Sequence, residues 1–247
     1  MNTGTTQVAW RIGGPQGSGI DMITTLFART CATIGQQVFC RREYHSNIKG
    51  RHSYCDVSVS PRTVTSHAEC PQMLVTFEPE SLCRHLESLA APGYLVCSAD
   101  DRDVNLDSLG YLDSRVLQER LQQLEQAGLS PTAGGLMELA QRRGIRTFAV
   151  PYKQMLSRLA DEQGVTRKHV AAVVNTLAVA VSTSLLGVSR EFLEHALEKS
   201  FPGQGDVLAM NRQAIGIAYA FVQDNFSPIE LQLQEFPESR APVLLLN

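Results

Sequence analysis

Two stretches carry residues whose types and spacing suit a ligand. The first is Val8 to Gly19, Val-Ala-Trp-Arg-Ile-Gly-Gly-Pro-Gln-Gly-Ser-Gly. Gly13, Gly14, Gly17 and Gly19, with Gln16 among them, form a loop in which backbone can approach backbone or a ligand, because glycine has no side chain and tolerates positive φ. A helix that starts directly after such a loop turns its first N–H groups toward it, and those groups favour an anion. The second stretch is Arg41 to Ser53. Arg41, Arg42, Lys49 and Arg51 fall within eleven residues, with His45 and His52 among them and Glu43 the one acid. A basic loop beside glycine N–H groups suits a phosphate or a carboxylate. Both stretches have plainer readings. The glycines equally allow a tight turn and close helix–sheet packing, and the basic run equally forms a solvated loop or a salt-bridged interface.

Several familiar chemistries do not fit. The dinucleotide fingerprint needs G-x-G-x-x-G, and no frame through Gly13 to Gly19 supplies it. No Gly-Lys-Ser/Thr follows, so the loop is not a nucleotide P-loop. Glu43 stands about where a ribose-binding acid would, flanked by arginines. A metal site at His45 and His52 fits poorly, because no nearby carboxylate or thiolate clearly completes a ligand set. The six cysteines, at 31, 40, 55, 70, 83 and 97, form no C-x-x-C pair and no Cys/His cluster. That argues against an iron–sulfur cluster or a structural zinc on this chain.

The elements that must position these residues alternate. Val8 to Ile12 reads as a strand, and Ile20, Ile23, Leu26, Phe27, Thr30 and Cys31 repeat at helix spacing. Gln37 to Arg42 reads as the next strand, and Tyr44 to His52 as a polar loop. Tyr54 to Ser60 has strand alternation, and Met73 to Phe77, Tyr94 to Cys97 and Ile145 to Val150 are further strands. Helices are expected from Pro79 to about Ala91, Val116 to Gln126 and Leu136 to Arg143. From Tyr152 on, the pattern is helical only: Lys153 to Gln163, then Thr166 to Leu186, Arg190 to Ser200, and Asp206 to about Asn225. Thr166, Ser189 and Asp206 are the expected caps. Strands alternating with helices predict an α/β fold, a mostly parallel Rossmann-like sheet with helices on both faces and a C-terminal helical portion packed on it. If that sheet is doubly wound, the loop after strand two lies at its carboxyl edge beside the glycine loop, where ligands bind in open α/β sheets.

The whole chain bounds the rest. It has 247 residues, 43% hydrophobic and 19% charged, with net charge −3. Those are values of a globular protein with a sizeable core, and the charge gives no reason to expect nucleic acid. The polar start, Met1 to Gln7, has no signal-peptide core, so reduced thiols and a cytoplasmic location are expected. Val170 to Val188 is uncharged and near membrane-span length, but Asn175, Thr176, Ser182, Thr183 and Ser184 within it favour a buried helix. Ala171, Asn175, Ala178 and Ser182 make a small-residue stripe suited to close helix packing, and Asn211 is expected as a hydrogen-bonded buried polar group. The tail carries Val243-Leu244-Leu245-Leu246 before Asn247, and such an apolar run should pair with the sheet, bury against a partner or be the first strand of a following domain encoded separately or cut off.

Taken in order, these motifs resemble the gamma subunit or domain of 2-oxoacid:ferredoxin oxidoreductases. The resemblance rests on strand-Gly-Gly-x-Gln-Gly-Ser-Gly and on Glu43-Tyr44-His45-Ser46-Asn47-Ile48-Lys49-Gly50-Arg51-His52-Ser53. It continues through Asn175, Asn211 and Tyr219. The family commonly has Arg-Gly-Gly where this chain has Lys49-Gly50-Arg51. The resemblance implies a single gamma-type domain over 1–247, with the α/β sheet in 7–150, the helical portion in 151–226, and a tail, 227–247, leading to a following domain or a partner. It is most like the gamma part fused ahead of the alpha domain in 2-oxoglutarate enzymes. The implied activity is oxidative decarboxylation of a 2-oxoacid to its acyl-coenzyme A, with electrons passed to ferredoxin. Thiamine diphosphate, Mg2+ and iron–sulfur clusters would sit on other domains, leaving this chain inactive alone. Its partners would be the pyrimidine-binding alpha and diphosphate-binding beta parts, with ferredoxin as acceptor, and neither nucleic acid nor membrane. The candidate anion, coenzyme A or interface residues are Gly13, Gly14, Gln16, Gly17, Gly19, Tyr44, Lys49, Gly50, Arg51 and Ser53, with no catalytic or metal-binding residue. The rival readings are a nucleotide-binding NAD(P) or FAD oxidoreductase domain and a purely structural assembly module.

Overall fold

The computed structural model describes residues 7–44, 52–236 and 244–246. Its sheet has seven strands among the described residues, in the order β6-β5-β4-β1-β3-β2-β7. They are β1 (Val8–Pro15), β2 (Gln37–Tyr44), β3 (His52–Ser60), β4 (Met73–Thr76), β5 (Gly93–Ser98), β6 (Ile145–Val150) and β7 (Leu244–Leu246). Parallel pairing joins β1 to β4, β4 to β5, β5 to β6 and β2 to β7. β3 runs antiparallel between β1 and β2, an inversion that alternation alone does not reveal. The sheet is thus mostly parallel, with β2 keeping the direction of β1 although β3 separates them.

The two faces bury different helices. Strand side chains alternate between them: Trp10, Ile12, Val75, Val96 and Phe148 enter the larger core, while Leu74, Leu95, Cys97 and Ile145 enter the smaller. The larger core holds α1 (Ile20–Thr33), α5 (Tyr152–Gln163), α7 (Val174–Leu185), α8 (Arg190–Ser200) and α9 (Gly205–Asn225). Trp10 on β1 stacks on Phe27 of α1 with ring centroids 4.3 Å apart. The smaller core holds α2 (Pro79–His85), α3 (Ser114–Ala127) and α4 (Ala133–Arg142). Residues of the sheet and of the later helices therefore share one apolar cluster.

Local chemistry explains where the elements begin and end. Gly128 ends α3 and Gly164 ends α5 in the left-handed conformation, with φ of 66° and 63°. Thr132 caps α4 through its hydroxyl, which accepts from Gly135 N–H, so α4 starts earlier than Leu136. α2 is shorter than its apolar pattern and passes into a 3-10 turn at Leu86–Ser88. The expected helix from Thr166 is interrupted: α6 (Arg167–Val170) is followed by a 3-10 turn, Ala171–Val173, before α7. Thr166 and Ser189 cap no helix through their side chains; the Thr166 hydroxyl meets His169 Nδ1 at 2.7 Å instead. α9 begins at Gly205, which places Asp206 in its first turn.

The stretch Arg167–Leu185 is long and apolar enough to cross a membrane, but 67% of its most apolar window is buried inside the protein. Its polar residues are occupied there. The Thr176 hydroxyl donates to Asn211 Oδ1, and the Asn211 amide donates to Val207 C=O at 2.8 Å. Tyr219 OH bonds Val188 C=O at 3.0 Å and Thr183 Oγ1 at 3.1 Å. The Thr176–Asn211 and Thr183–Tyr219 bonds join α7 to α9 through groups that would be costly to bury unpaired.

Candidate functional site at the carboxyl edge

The carboxyl end of β1 sits where the chain changes direction through the sheet. After β1 the chain leaves across the larger core as α1; after β4, its parallel neighbour, it leaves across the smaller core as α2. Two helices departing to opposite faces open a crevice, the place where open α/β sheets hold ligands. β3 starts at this same edge: Pro15 pairs with His52, Gly14 with Ser53 and Gly13 with Tyr54. Tyr44, the last residue of β2, pairs with Ser53. The ends of the basic segment are therefore brought to the glycine loop. Lys49, Gly50 and Arg51, with His45, lie outside the described residues.

The five candidate residues from Gly13 to Gly19 divide into two kinds: β1 runs to Pro15 rather than stopping at Ile12, so Gly13 and Gly14 are strand residues, and Gln16, Gly17 and Gly19 lie in the turn that follows. Pro15 C=O accepts from Ser18 N–H at 3.0 Å, closing a turn over Gln16 and Gly17, and Gly17 takes φ 94°. Gly19 is left-handed, with φ 91°, and precedes α1 with no side-chain cap. A Cβ there would run into the Asn175 amide, whose Nδ2 donates to Ser18 C=O at 3.1 Å. The first N–H groups of α1 thus face the loop without a capping side chain. Ser18 Oγ and Asn175 Oδ1 are buried beside them with no hydrogen-bond partner, polar groups of the kind a bound molecule satisfies. Ser53 is buried, and its hydroxyl approaches Gly14 C=O at 3.5 Å.

Gly13 and Gly14 are closely packed by neighbouring side chains. A Cβ on Gly13 would lie 2.8 Å from Ser81 Oγ, 3.0 Å from His52 Cε1 and 3.2 Å from His85 Cδ2. On Gly14 it would lie 2.9 Å from Ile20 Cδ1. Gly13 thereby makes room for a buried polar cluster that the residue pattern did not disclose. His52 Nε2 is 2.7 Å from His85 Nε2. His52 Nδ1 faces Ser81 Oγ at 3.5 Å and Glu78 Oε1 at 3.8 Å. Glu78 is the N-cap of α2, accepting from Glu80 and Ser81 N–H at 2.9 Å each, and it also accepts from the Ser81 hydroxyl. Burial raises the Glu78 carboxyl above the usual range, against the opposing pull of its Ser81 hydrogen bonds.

Tyr54 extends the cluster. Its ring lies 4.6 Å from that of His85 and 4.8 Å from the Arg11 guanidinium. Arg11 forks onto Asp56, with Nε–Oδ1 2.6 Å and Nη2–Oδ2 3.0 Å, and reaches Ser88 Oγ at 2.8 Å. Burial raises the Tyr54 phenol, and Arg11 opposes that shift.

Arg41 and Arg42 lie in β2, within the strand expected from Gln37 to Arg42. Arg41 pairs with Glu43 and contacts His67 Nε2 at 2.8 Å, which engages the acid considered for ribose. Arg42 lies 3.3 Å from Asp21 in the first turn of α1. His52, placed in the basic run by sequence, is 2% exposed and belongs to the histidine pair. Among the described residues no group of three His, Cys, Asp or Glu could hold a metal ion.

Comparison with known proteins gives the family and the fold. The sequence profile described as pyruvate ferredoxin/flavodoxin oxidoreductase matches residues 9–221. The alpha subunit of 2-oxoacid:ferredoxin oxidoreductase 2 from Aeropyrum pernix is 31% identical over 94% of this chain and 35% of its own length. The chain spans about a third of the length of the curated relatives it matches. In structure it resembles the Magnetococcus marinus 2-oxoglutarate:ferredoxin oxidoreductase with 2-oxoglutarate, coenzyme A and succinyl-CoA bound, at TM-score 0.67 and 17% identity, over 96% of this chain and 34% of that one. It also resembles the gamma subunit of a keto/oxoacid ferredoxin oxidoreductase from Geobacter sulfurreducens, at TM-score 0.58 and 17% identity, over 88% of this chain and 99% of that one.

Proposed function

The chain belongs to the pyruvate ferredoxin/flavodoxin oxidoreductase family, and from that premise we propose that it is the gamma-type part of a 2-oxoacid:ferredoxin oxidoreductase. The observation that carries the reading is the extent of the likeness: nearly the whole of a gamma subunit, but only about a third of the alpha subunits. The proposed reaction converts a 2-oxoacid, coenzyme A and two oxidised ferredoxins into the acyl-coenzyme A, carbon dioxide, two reduced ferredoxins and a proton. 2-Oxoglutarate is the candidate 2-oxoacid. Thiamine diphosphate with Mg2+ and the iron–sulfur clusters supply decarboxylation and electron transfer, and they reside on the partner parts. Assembly with the alpha and beta parts, in the cytoplasm, completes the proposal.

Within it, this chain scaffolds the assembly and lends its carboxyl edge to an anionic reactant. The uncapped start of α1, the unpartnered Ser18 hydroxyl and the ends of the basic segment at the same edge support that role. Coenzyme A carries phosphates that suit helix N–H groups and guanidinium, and Lys49 and Arg51 are the cations in the intervening sequence. A charge-assisted hydrogen bond contributes roughly 1.5–3 kcal/mol. Arg51→Ala is therefore expected to lower kcat/KM of the assembled enzyme by roughly ten- to a hundredfold, with assembly intact by size-exclusion chromatography. Unchanged kcat/KM for both coenzyme A and the 2-oxoacid in an intact assembly would remove Arg51 from this role. Loss of assembly with normal specific activity in the remaining complex would make the segment an interface.

A further inference from the structure

The histidine pair has a property that the anion site does not require. His52 opens β3 and His85 closes α2, so their contact ties the sheet to the helix on its smaller-core face. The rings are 2% and 6% exposed, with centroids 4.9 Å apart. Two imidazole nitrogens 2.7 Å apart share one proton, one nitrogen donating and the other accepting. The unit can hold one positive charge with that bond intact, since Glu78 Oε1 stands 3.8 Å from the other nitrogen of His52. A second charge would aim N–H at N–H between two buried cations, which the bond cannot survive.

Among the described residues, titratable and charged groups face the pair from β1, β3 and α2. Glu78 and Ser81 face the pair from the start of α2, and Tyr54 faces it from β3. Arg11 of β1 lies across the Tyr54 ring and is held by Asp56. Glu80 and Arg84 on α2 pair with each other at 2.8 Å. Lys49 and Arg51, near His52 in sequence, lie outside the described residues.

We propose that His52 and His85 form a one-proton latch between β3 and α2, closed near neutral pH and opened by a second proton in acid. The latch positions the carboxyl edge. His52 is the ladder partner of Pro15, Ser53 that of Gly14, and Gly13 lies under both rings. The glycine turn leading into α1 therefore starts from strand residues that the latch fixes.

The direction of the pH effect follows from proton counts. Below the ordinary histidine range, about 6.5, an open or unfolded chain binds a proton on each ring. The closed latch binds one fewer, so its stability rises with pH across this range and falls on acidification. One proton of difference changes the opening equilibrium up to about tenfold per pH unit. His85→Gln carries an amide that can donate to neutral His52 Nε2 or, turned over, accept from protonated His52 Nε2, so the closed state loses no proton relative to the open one, the latch remains and its acid sensitivity goes. His85→Phe removes the latch at every pH.

Hydrogen exchange of β3 and α2 in the assembled protein tests this, at about pH 5 and about pH 7.5 on either side of the histidine range, corrected for intrinsic exchange rates. The wild type is expected to open with acid by up to tenfold per unit, His85→Gln to lack that slope, and His85→Phe to be open at both values. Equal slopes in wild type and His85→Gln would overturn the proposal, as would wild-type protection in His85→Phe. If the Phe variant does not fold, the Gln comparison decides. No ligand is added, so a failed anion reading leaves the latch standing, and the reverse.

Discussion

Gly13 shows how a single residue ties the backbone to the buried chemistry. Its hydrogen occupies space that Ser81, His52 and His85 crowd to within 2.8–3.2 Å of a would-be Cβ. Overpacking a well-filled site typically costs about 1–3 kcal/mol. Gly13→Ala is expected to destabilise by that amount in urea unfolding, and an unchanged midpoint would mean the cluster is looser than described. The cysteines allow a second check. Burial pushes the Cys55 thiol up to about 11 and those of Cys40, Cys83 and Cys97 up to about 12, and it raises Cys31 further. Thiolate is the reactive form, and Cys70 is the exposed one of the six. Native alkylation at mildly alkaline pH should therefore modify Cys70 alone, as counted by mass spectrometry. Rapid labelling of any of the other five would show that the sheet, α1 or α2 opens readily.

Among the elements, the antiparallel strand β3 decides the geometry of the edge. By running back between β1 and β2, it brings His52 and Ser53 to the glycine loop and puts the two ends of the basic segment there. The sequence made β3 legible as a strand, because Cys55, Val57 and Val59 alternate with polar residues. Its direction was not legible, since period-two alternation is the same for either direction. Nor was the burial of its polar face, where Asp56 meets Arg11 from forty-five positions away. The turn at Gly17 to Gly19 and α1 were read directly, because turn chemistry and helix period are local signals, whereas Gly13 and Gly14, expected in the loop, continue β1 in its pairing with β3. The His52–His85 contact joins residues thirty-three positions apart and exists only once β3 and α2 pack together, so no local pattern carries it. The break between α6 and α7 was equally hidden, as the apolar run continues through it.

The tail makes an element-scale prediction. β7 pairs in parallel with β2, Leu244 to Leu246 opposite Val38 to Cys40, covering what would otherwise be an edge strand of unpaired N–H and C=O groups. Slowed hydrogen exchange is expected at Leu244 to Leu246 in the assembled enzyme. Exchange there at the rate of an unstructured peptide would contradict the pairing.

At the scale of the whole molecule, one mostly parallel sheet divides two unequal cores, with the larger shared between the early strands and the later helices. The family likeness covers that entire body, residues 9–221, while the relatives extend well beyond it. The central claim is that this body is a necessary part of a larger oxidoreductase and does no redox chemistry alone. The most direct measurement is coenzyme A-dependent reduction of ferredoxin by a 2-oxoacid, assayed anaerobically for this chain alone, for the alpha and beta parts without it, and for all of them together. The account predicts turnover only in the complete mixture, with the isolated chain colourless and free of iron. Full turnover by the other parts in its absence, or an iron–sulfur chromophore bound stoichiometrically by this chain alone, would contradict it.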